Sequence, residues 1–451
     1  MPDTIAAIAT GQVRSAIGIL RLSGPEAVAA VSACFTPLSG KKLTDYAPGR
    51  LVLGTLRDRE GAVLDQCLAT YSLAPHSYTG EDTAELQCHG SPAVLTAGLE
   101  TLFAQGVRQA GPGEFTKRAF LNGRLDLIQA EAVADLIDAQ TADAARNAAG
   151  QLGRAMTRKI EAVSDRLTDL LAHFHVVLDY PDEDIEPFEQ QEIEETLAAA
   201  AQALRSLQAT YRRGRQLTQG IPCAIVGRPN AGKSSLLNAL LGYDRAIVTP
   251  VPGTTRDTVE ERCVLGGVLL RLIDTAGLRE TGDLVERMGV ERSRAALAQA
   301  ELALVLLDGS QPLTEEDEQI LALAAECPHR LVLVSKSDLP TVLKLPQGVE
   351  AITISAKTGQ GLEALEETIR GLFARNMPRQ GEMLTNARQA EAIGRAAAGL
   401  EGAAQALEAG MPPDAVLSDV EGALAALDEV TGRSVTEAVT GRIFQRFCVG
   451  K

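Results

Sequence analysis

The chain is predicted to be a multidomain α/β plus all-α protein, in which a parallel-rich α/β domain interrupts a helical domain and a smaller mixed α/β domain comes first. Three observations carry this. Its 451 residues exceed what one hydrophobic core ordinarily holds together and correspond to about three domains. Apolar runs at residues 221–226, 264–273, 302–307, 331–334 and 351–354 alternate with helical stretches, the pattern of a parallel sheet covered on both faces. On either side the sequence is Ala/Leu-rich at helical spacing, so the two flanks are expected to pack together and make the sheet domain an insertion. The boundaries that follow are 1–118, 119–217, 218–378 and 379–451.

Each segment carries its own signals. Residues 16–22 read as a strand ending in the turn Ser23-Gly24-Pro25, and residues 51–56 and 67–73 as two more strands connected through 57–61. Ser91-Pro92 opens an amphipathic helix that reaches about Gln105. The polar segments 80–85 and 111–118 read, by themselves, as surface loops. Apolar residues then recur at helical spacing through 125–137 and 160–178, predicting long antiparallel helices. Residues 179–195 are densely acidic and contain Pro181 and Pro187; they suit a solvated connection and a negative first helical turn, since a calcium loop's alternating, glycine-containing ligand pattern is missing. One further helix is expected over 194–217, and residues 384–451 are helical again.

Composition narrows the function classes. Hydrophobic residues make up 45% of the chain but aromatics only 3%, and Trp is absent, so the cores should be aliphatic. No apolar run approaches a bilayer span, and no basic segment followed by a long apolar one opens the chain, so no membrane and a cytoplasmic location are expected. The seven cysteines show no CxxC spacing, against a zinc ribbon or a disulfide framework. His173 and His175 would face different ways on a helix and do not read as a metal pair. A net charge of −16 argues against a broad nucleic-acid surface, so any RNA contact should be local or supplied by a partner.

The chemistry is concentrated in the loops after the central strands. Gly227-Arg228-Pro229-Asn230-Ala231-Gly232-Lys233-Ser234 lies between an apolar strand and the helix-forming Ser235-Leu236-Leu237, the setting a phosphate-binding loop requires. Its glycines let backbone N–H groups turn inward around phosphates, Lys233 can reach the β and γ oxygens, and the Ser234 hydroxyl can ligate Mg²⁺. Asp274-Thr275-Ala276-Gly277 follows another strand, where Asp274 can hold Mg²⁺ through water and the Gly277 amide can face the γ-phosphate. Between the two, Pro252-Gly253-Thr254-Thr255 offers a switch hydroxyl, Thr255, to complete the metal shell. Ser335-Lys336-Ser337-Asp338 and Ser355-Ala356-Lys357 close the series, and the Asp338 carboxylate can accept hydrogen bonds from guanine N1 and N2, which adenine does not offer. Four such motifs in this order on one domain predict GTP/GDP over ATP.

Together with Gly80-Glu81-Asp82, Pro112-Gly113-Glu114-Phe115 and the terminal Phe447-Cys448-Val449-Gly450-Lys451, these motifs make the whole chain resemble the MnmE (TrmE) family of tRNA modification GTPases. It departs from the family pattern at Val449, where Ile is usual, and at Ser335, where an Asn normally braces the base loop and meets guanine N7. The resemblance implies lower guanine affinity at Ser335, with Asp338 keeping the specificity. It also implies that the first domain binds a one-carbon tetrahydrofolate, 5-formyl- or 5,10-methylene-tetrahydrofolate, at Arg21, Glu85 and Arg124, joined by Lys451 from the far end of the chain. That set is chemically sensible, because a carboxylate suits the donor-acceptor edge of a pterin and Arg or Lys suit the tail carboxylates. The resemblance further implies a homodimer that works with a flavoprotein, MnmG, to add a carboxymethylaminomethyl-type group at C5 of the wobble uridine of certain tRNAs. Cys448 then reads either as a thiolate nucleophile toward the uridine ring or as an inert buried cysteine.

Hydrolysis needs a separate account, because Leu278 stands where many small GTPases carry a catalytic Gln and cannot orient water. The resemblance implies a K⁺ ion bridging the β and γ phosphates, held by the Asn230 oxygen and by the segment Thr249, Pro250, Val251, Pro252, Gly253 and Thr254. Dimerisation of two nucleotide domains would fix that cage, and the cation would neutralise transition-state charge as an arginine does. Glu286 matches the family's water-orienting glutamate, with Lys233 on the phosphates. Two other classes fit part of the sequence: a regulatory or assembly GTPase without modification chemistry, and a folate enzyme whose GTPase domain only dimerises.

Overall fold

The computed structural model describes residues 3–11, 13–179, 190–242, 261–273, 289–373, 381–411, 413–434, 437–445 and 447–450. By its contacts the chain divides into two compact units, Met1–Ala134 with Leu152–Glu189 and Gln405–Lys451, and Asp135–Gln151 with Gln190–Ala404. Among the described residues no helix is long and apolar enough to cross a membrane.

The chain opens with β1 (Ile5–Ile8), β2 (Ile17–Ser23), α1 (Ala27–Cys34), β3 (Phe35–Pro37), β4 (Val52–Arg57), β5 (Val63–Ser72), β6 (Thr83–His89), α2 (Pro92–Phe103) and β7 (Arg108–Gln109). The strands form one sheet in the order β3-β4-β5-β6-β2-β1-β7, antiparallel except where β7 joins β1. Alternation decides its inner face: Leu20 and Leu22 of β2 and Ala84, Leu86 and Cys88 of β6 are buried, while Ile19, Arg21, Glu85 and Gln87 between them are only partly so. The two helices α1 and α2 cover that face, and fully burying each leucine contributes about 1.5–3 kcal/mol. Gly18 is required there, since a Cβ would come within 2.5 Å of Leu95.

Two segments that read as surface loops are structured. Residues 83–85 belong to β6, because Thr83-Ala84-Glu85-Leu86 continues the period-two alternation that their charge conceals. From Glu114 onward the second segment is α3 (Glu114–Leu121), which buries Phe115, Thr116 and Ala119 on one side. Helices α4 (Leu127–Asp138), α5 (Ala142–Leu152) and α6 (Ala155–Asp179) follow. Over 194–217 two helices replace the one expected, α7 (Gln190–Gln208) and α8 (Tyr211–Gln219). The chain turns at Ala209 and Thr210 to pass close to a neighbour: a Cβ on Gly214 would come within 1.9 Å of the Leu384 carbonyl oxygen.

The nucleotide domain contains β8 (Ile221–Val226), α9 (Lys233–Gly242), β9 (Glu261–Leu265), β10 (Val268–Ile273), α10 (Gly289–Gln299), β11 (Leu302–Asp308), α11 (Glu315–Ala324), β12 (His329–Ser335), β13 (Ala351–Thr353) and α12 (Leu362–Phe373). Its sheet runs β13-β12-β11-β8-β10-β9, all neighbours parallel but the last pair. The single strand expected at 264–273 is therefore part of a hairpin. Gly266 and Gly267 both have positive φ, +63° and +79°, which is what a two-residue turn matched to strand twist demands. Every residue of β11 is buried, as a central strand covered on both faces must be. The remaining helices are α13 (Ala387–Glu408), α14 (Pro413–Thr431) and α15 (Glu437–Phe444). This is the multidomain α/β plus all-α architecture expected, with the P-loop domain falling between helical segments.

Candidate functional site

The phosphate loop leaves β8 at Val226 and enters α9 at Lys233. Gly227 has no room for a side chain, since a Cβ would stand 2.5 Å from the Leu306 carbonyl oxygen. The crest needs left-handed backbone at Asn230 (φ +61°), and Asn is among the few side chains that tolerate it. Gly232 (φ +99°) then delivers the first turn of α9, where Leu236 N–H donates to the Gly232 carbonyl at 2.8 Å. Lys233 Nζ donates to the carbonyls of Gly227 (2.6 Å) and Arg228 (2.8 Å), and burial pushes its ammonium below the ordinary value. Ser234, Ser235 and Asn230 are exposed, Ala231 is buried and Gly232 partly so. Arg228 ties the loop to α11: its Nε lies 3.5 Å from Asp317, which is buried and closes a capping box with Thr314.

The base loop is built by strand register. Ser335 ends β12 opposite Asp308 at the end of β11. Lys336 takes a left-handed φ of +59° and donates from Nζ to Asp308 Oδ2 at 2.7 Å. Burial alone would raise the Asp308 carboxyl, but Lys336 and the Ser310 donors outweigh it and hold it below its ordinary value. Asp338 is exposed, accepts from the buried Ser355 hydroxyl at 2.8 Å, and is lowered first by that bond. Ser355 in turn accepts from Thr358 N–H at 3.3 Å, which fixes the hydroxyl's direction. Ser337 donates to Gln360, Ala356 is partly buried, and Lys357 is exposed. The base loop and phosphate loop are joined directly, because the buried Ser335 hydroxyl donates to the Ala231 carbonyl at 2.6 Å and approaches Leu307 O at 3.1 Å.

In the N-terminal domain, Arg21 and Glu85 face each other across β2 and β6 and form an ion pair, Nε to Oε1 2.8 Å. The Arg21 guanidinium lies 6.0 Å from the centroid of the Phe115 ring. Arg124 is exposed and donates from Nε to the Ser77 carbonyl at 3.1 Å, which brings it to the segment that leads into β6. Next to it, Tyr78 bonds with Thr116 at 3.0 Å, its hydroxyl pushed up by burial. The C-terminal tail reaches the same domain: Gly113 N–H donates to Cys448 O at 3.2 Å, Pro112 bridges Val449, and Gly450 packs so closely on Ile8 that a Cβ would come within 2.4 Å of its carbonyl oxygen. Cys448 is exposed, unlike the buried cysteine that the sequence left open.

Thr249, Pro250, Val251, Pro252, Gly253, Thr254 and Thr255, the Asp274-Thr275-Ala276-Gly277 motif, Glu286 and Lys451 lie outside the described residues. Four supporting residues were missed at the sequence level: Asp308, Asp317, Tyr78 and Phe115. For Asp308 the signal is a carboxylate closing an apolar strand, Leu302 to Leu307, at the end that faces ligand.

A glycine-rich loop feeding a helix at the carboxyl end of a parallel sheet, braced to a Lys-Ser-Asp base loop, defines a P-loop GTPase-type nucleotide-binding protein. Comparison with known proteins narrows the class. The profile described as "MnmE helical domain" matches residues 127–448, and that described as "GTP-binding protein TrmE N-terminus" matches residues 4–124. The tRNA modification GTPase MnmE of Roseiflexus sp. (strain RS-1) is 44% identical over 464 residues, covering 100% of this chain and 99% of that protein. The protein of the same name from Clostridioides difficile (strain 630) is 41% identical over 457 residues, with 100% and 99% covered. Among solved structures, the G domain of the T. maritima FeoB iron transporter is 25% identical over 34% of this chain and 99% of that chain, at a TM-score of 0.24, too low to bear on the fold. The chain belongs to the MnmE (TrmE) family of tRNA modification GTPases.

Proposed function

We propose that this chain is a K⁺-activated GTPase which, as a homodimer with a flavoprotein partner of the MnmG type, adds a carboxymethylaminomethyl-type group to C5 of the wobble uridine of certain tRNAs in the cytoplasm, using a one-carbon tetrahydrofolate. The observation that carries the folate part is the docking of residues 447–450 on the N-terminal domain. Gly450 lies on Ile8 of β1, whose register partner Leu20 adjoins Arg21 on β2, so the described tail ends at the strand pair that bears Arg21.

The residues present fit the group. Glu85 offers acceptors to a pterin edge, the exposed Tyr78 offers ring surface, and Arg21, Arg124 and Lys451 suit the tail carboxylates. When bound, the tetrahydrofolate supplies the carbon that is transferred. Arg21 and Glu85 would exchange part of their mutual pairing for the ligand, which leaves neither charge unpaired in a half-buried site. An exposed Cys448 suits a thiol that adds to the uridine ring.

In the nucleotide domain, Lys233 would move its ammonium from the Gly227 and Arg228 carbonyls to the phosphates, and Ser234 with Thr255 and Asp274 would hold Mg²⁺. Asn230, standing exposed at the loop crest, would hold K⁺ with Thr249, Val251 and Thr254, and Glu286 would orient the attacking water. The working segments are 1–118 for folate and dimerisation, 218–378 for GTP, and 119–217 with 379–451 for the helical body. Removing residues 448–451 is expected to weaken 5-formyltetrahydrofolate binding about tenfold, the worth of one charge-assisted contact, with GTP turnover unchanged. Calorimetry giving the truncated and intact proteins equal folate affinity would contradict the reading.

A further inference from the structure

The Ser335 hydroxyl has one proton, and the structure shows where it goes. Ser335 Oγ is 2.6 Å from the Ala231 carbonyl and 3.1 Å from that of Leu307, both acceptors only, in a residue 4% exposed. A hydroxyl so committed has nothing left to donate to a base. The neighbours are engaged as well: Lys336 Nζ is drawn to Asp308, Ser337 donates to Gln360, and Asp338, held by Ser355, presents only acceptors.

Guanine offers two edges. N1–H and the exocyclic amine are donors that suit Asp338, whereas N7 is an acceptor and needs a donor from the protein. We infer that this chain reads guanine through its Watson–Crick edge alone, that Ser335 serves as a brace between base loop and phosphate loop, and that the nucleotide site is indifferent to the atom at position 7 of the purine. Nucleotides of 7-deazaguanine are therefore ligands of this site equal to those of guanine. The inference rests on the reading of residues 335–338 as the guanine loop.

The test is a set of equilibrium titrations of the full-length protein with Mg²⁺ and GDP, 7-deaza-GDP or xanthosine diphosphate. The unaltered protein is expected to bind GDP and 7-deaza-GDP with the same Kd within twofold. A lost hydrogen bond of ordinary strength would weaken 7-deaza-GDP about two- to tenfold, and a loss beyond twofold overturns the inference. Ser335→Ala removes the brace and is expected to weaken both ligands together with their ratio unchanged; a ratio that moves overturns it. Ser335→Asn restores a side chain with two N–H donors and is expected to favour GDP over 7-deaza-GDP, and continued indifference in a variant that still binds GDP would show that Ser335 is not the cause. Asp338→Asn checks the underlying reading by a separate readout: it is expected to shift preference from GDP to xanthosine diphosphate, and an unchanged preference would reject the base-loop assignment whatever the 7-deaza result.

Discussion

Asp308 illustrates how a single carboxylate shapes the loop that follows the neighbouring strand. It is nearly buried, accepts from Lys336 and Ser310, and holds Lys336 in a left-handed backbone that a lysine adopts only under constraint. Replacing it by Ala releases the lysine and lets that strained residue relax, so GDP affinity should fall by about 1–2 kcal/mol. Titration of Asp308→Ala that returns the parent Kd would contradict this. The residues proposed to meet a nucleotide were readable as candidates in the sequence because motif chemistry is local, as with Lys233 after its glycines and Asp338 after its strand. Asp308 was not, because its partner is 28 positions away and the two meet only through the β11–β12 register. The Ser335 bond to Ala231 was hidden for the same reason, at a separation of 104 residues.

At the scale of elements, α3 is fastened by charge. Arg108 bonds Asp3 and Glu114, and Arg118 bonds Asp3, Glu81 and Glu114, at 2.7 to 3.1 Å. Contact with Arg108 holds the Asp3 carboxyl down to about 2; burial alone would raise Glu114, but Arg108, the Gly111 amide and Arg118 hold it at about 2. Both values are depressed in the folded state, so their stabilisation is fully present above the ordinary carboxylate range and is lost as pH falls from about 4.5 toward 2. Hydrogen-exchange protection of the α3 amides, referred to intrinsic rates, should decline across that window in the parent and decline less steeply in Glu114→Gln. Equal slopes would show that Glu114 does not carry the effect. The same residues explain why α3 read as a loop: Gly111-Pro112-Gly113-Glu114 carries turn formers and a charge, and only Phe115, Thr116 and Ala119 facing inward betray a helix. A continuous apolar run such as β11 and a helix-period stretch such as α6 were legible; β6 and the β9–β10 hairpin were obscured where charge or a Gly-Gly pair sits inside an apolar pattern.

The molecule as a whole would join two chemistries in one chain, nucleotide turnover in the inserted domain and one-carbon transfer at the N-terminal domain. The nucleotide side predicts steep activation by K⁺ over Na⁺. Asn230→Ala is expected to abolish that difference, and Glu286→Ala to lower turnover by at least about tenfold while sparing GDP affinity. Equal GTPase rates in the two salts would remove the cation from the account. The segment proposed to form the cation cage and the glutamate proposed to orient the water were suggested only by resemblance, whereas Asp274-Thr275-Ala276-Gly277 was readable as a short motif. The meeting of the tail with β1 was legible only through resemblance, since no local signal in Cys448-Val449-Gly450 points to Ile8.

The central claim, that this chain is the GTP-driven, folate-dependent half of a wobble-uridine modification system, is tested most directly by reconstitution. Unmodified tRNA would be incubated with this protein, the flavoprotein partner, GTP, Mg²⁺, K⁺, a one-carbon tetrahydrofolate and glycine as the trial amine donor, and its nucleosides then analysed by mass spectrometry. The carboxymethylaminomethyl-type mass is expected at the wobble uridine, dependent on the flavoprotein, on GTP and on the folate. Wobble uridine that stays unmodified while GTP is hydrolysed at its normal rate, or that is modified equally well without the folate, would contradict it.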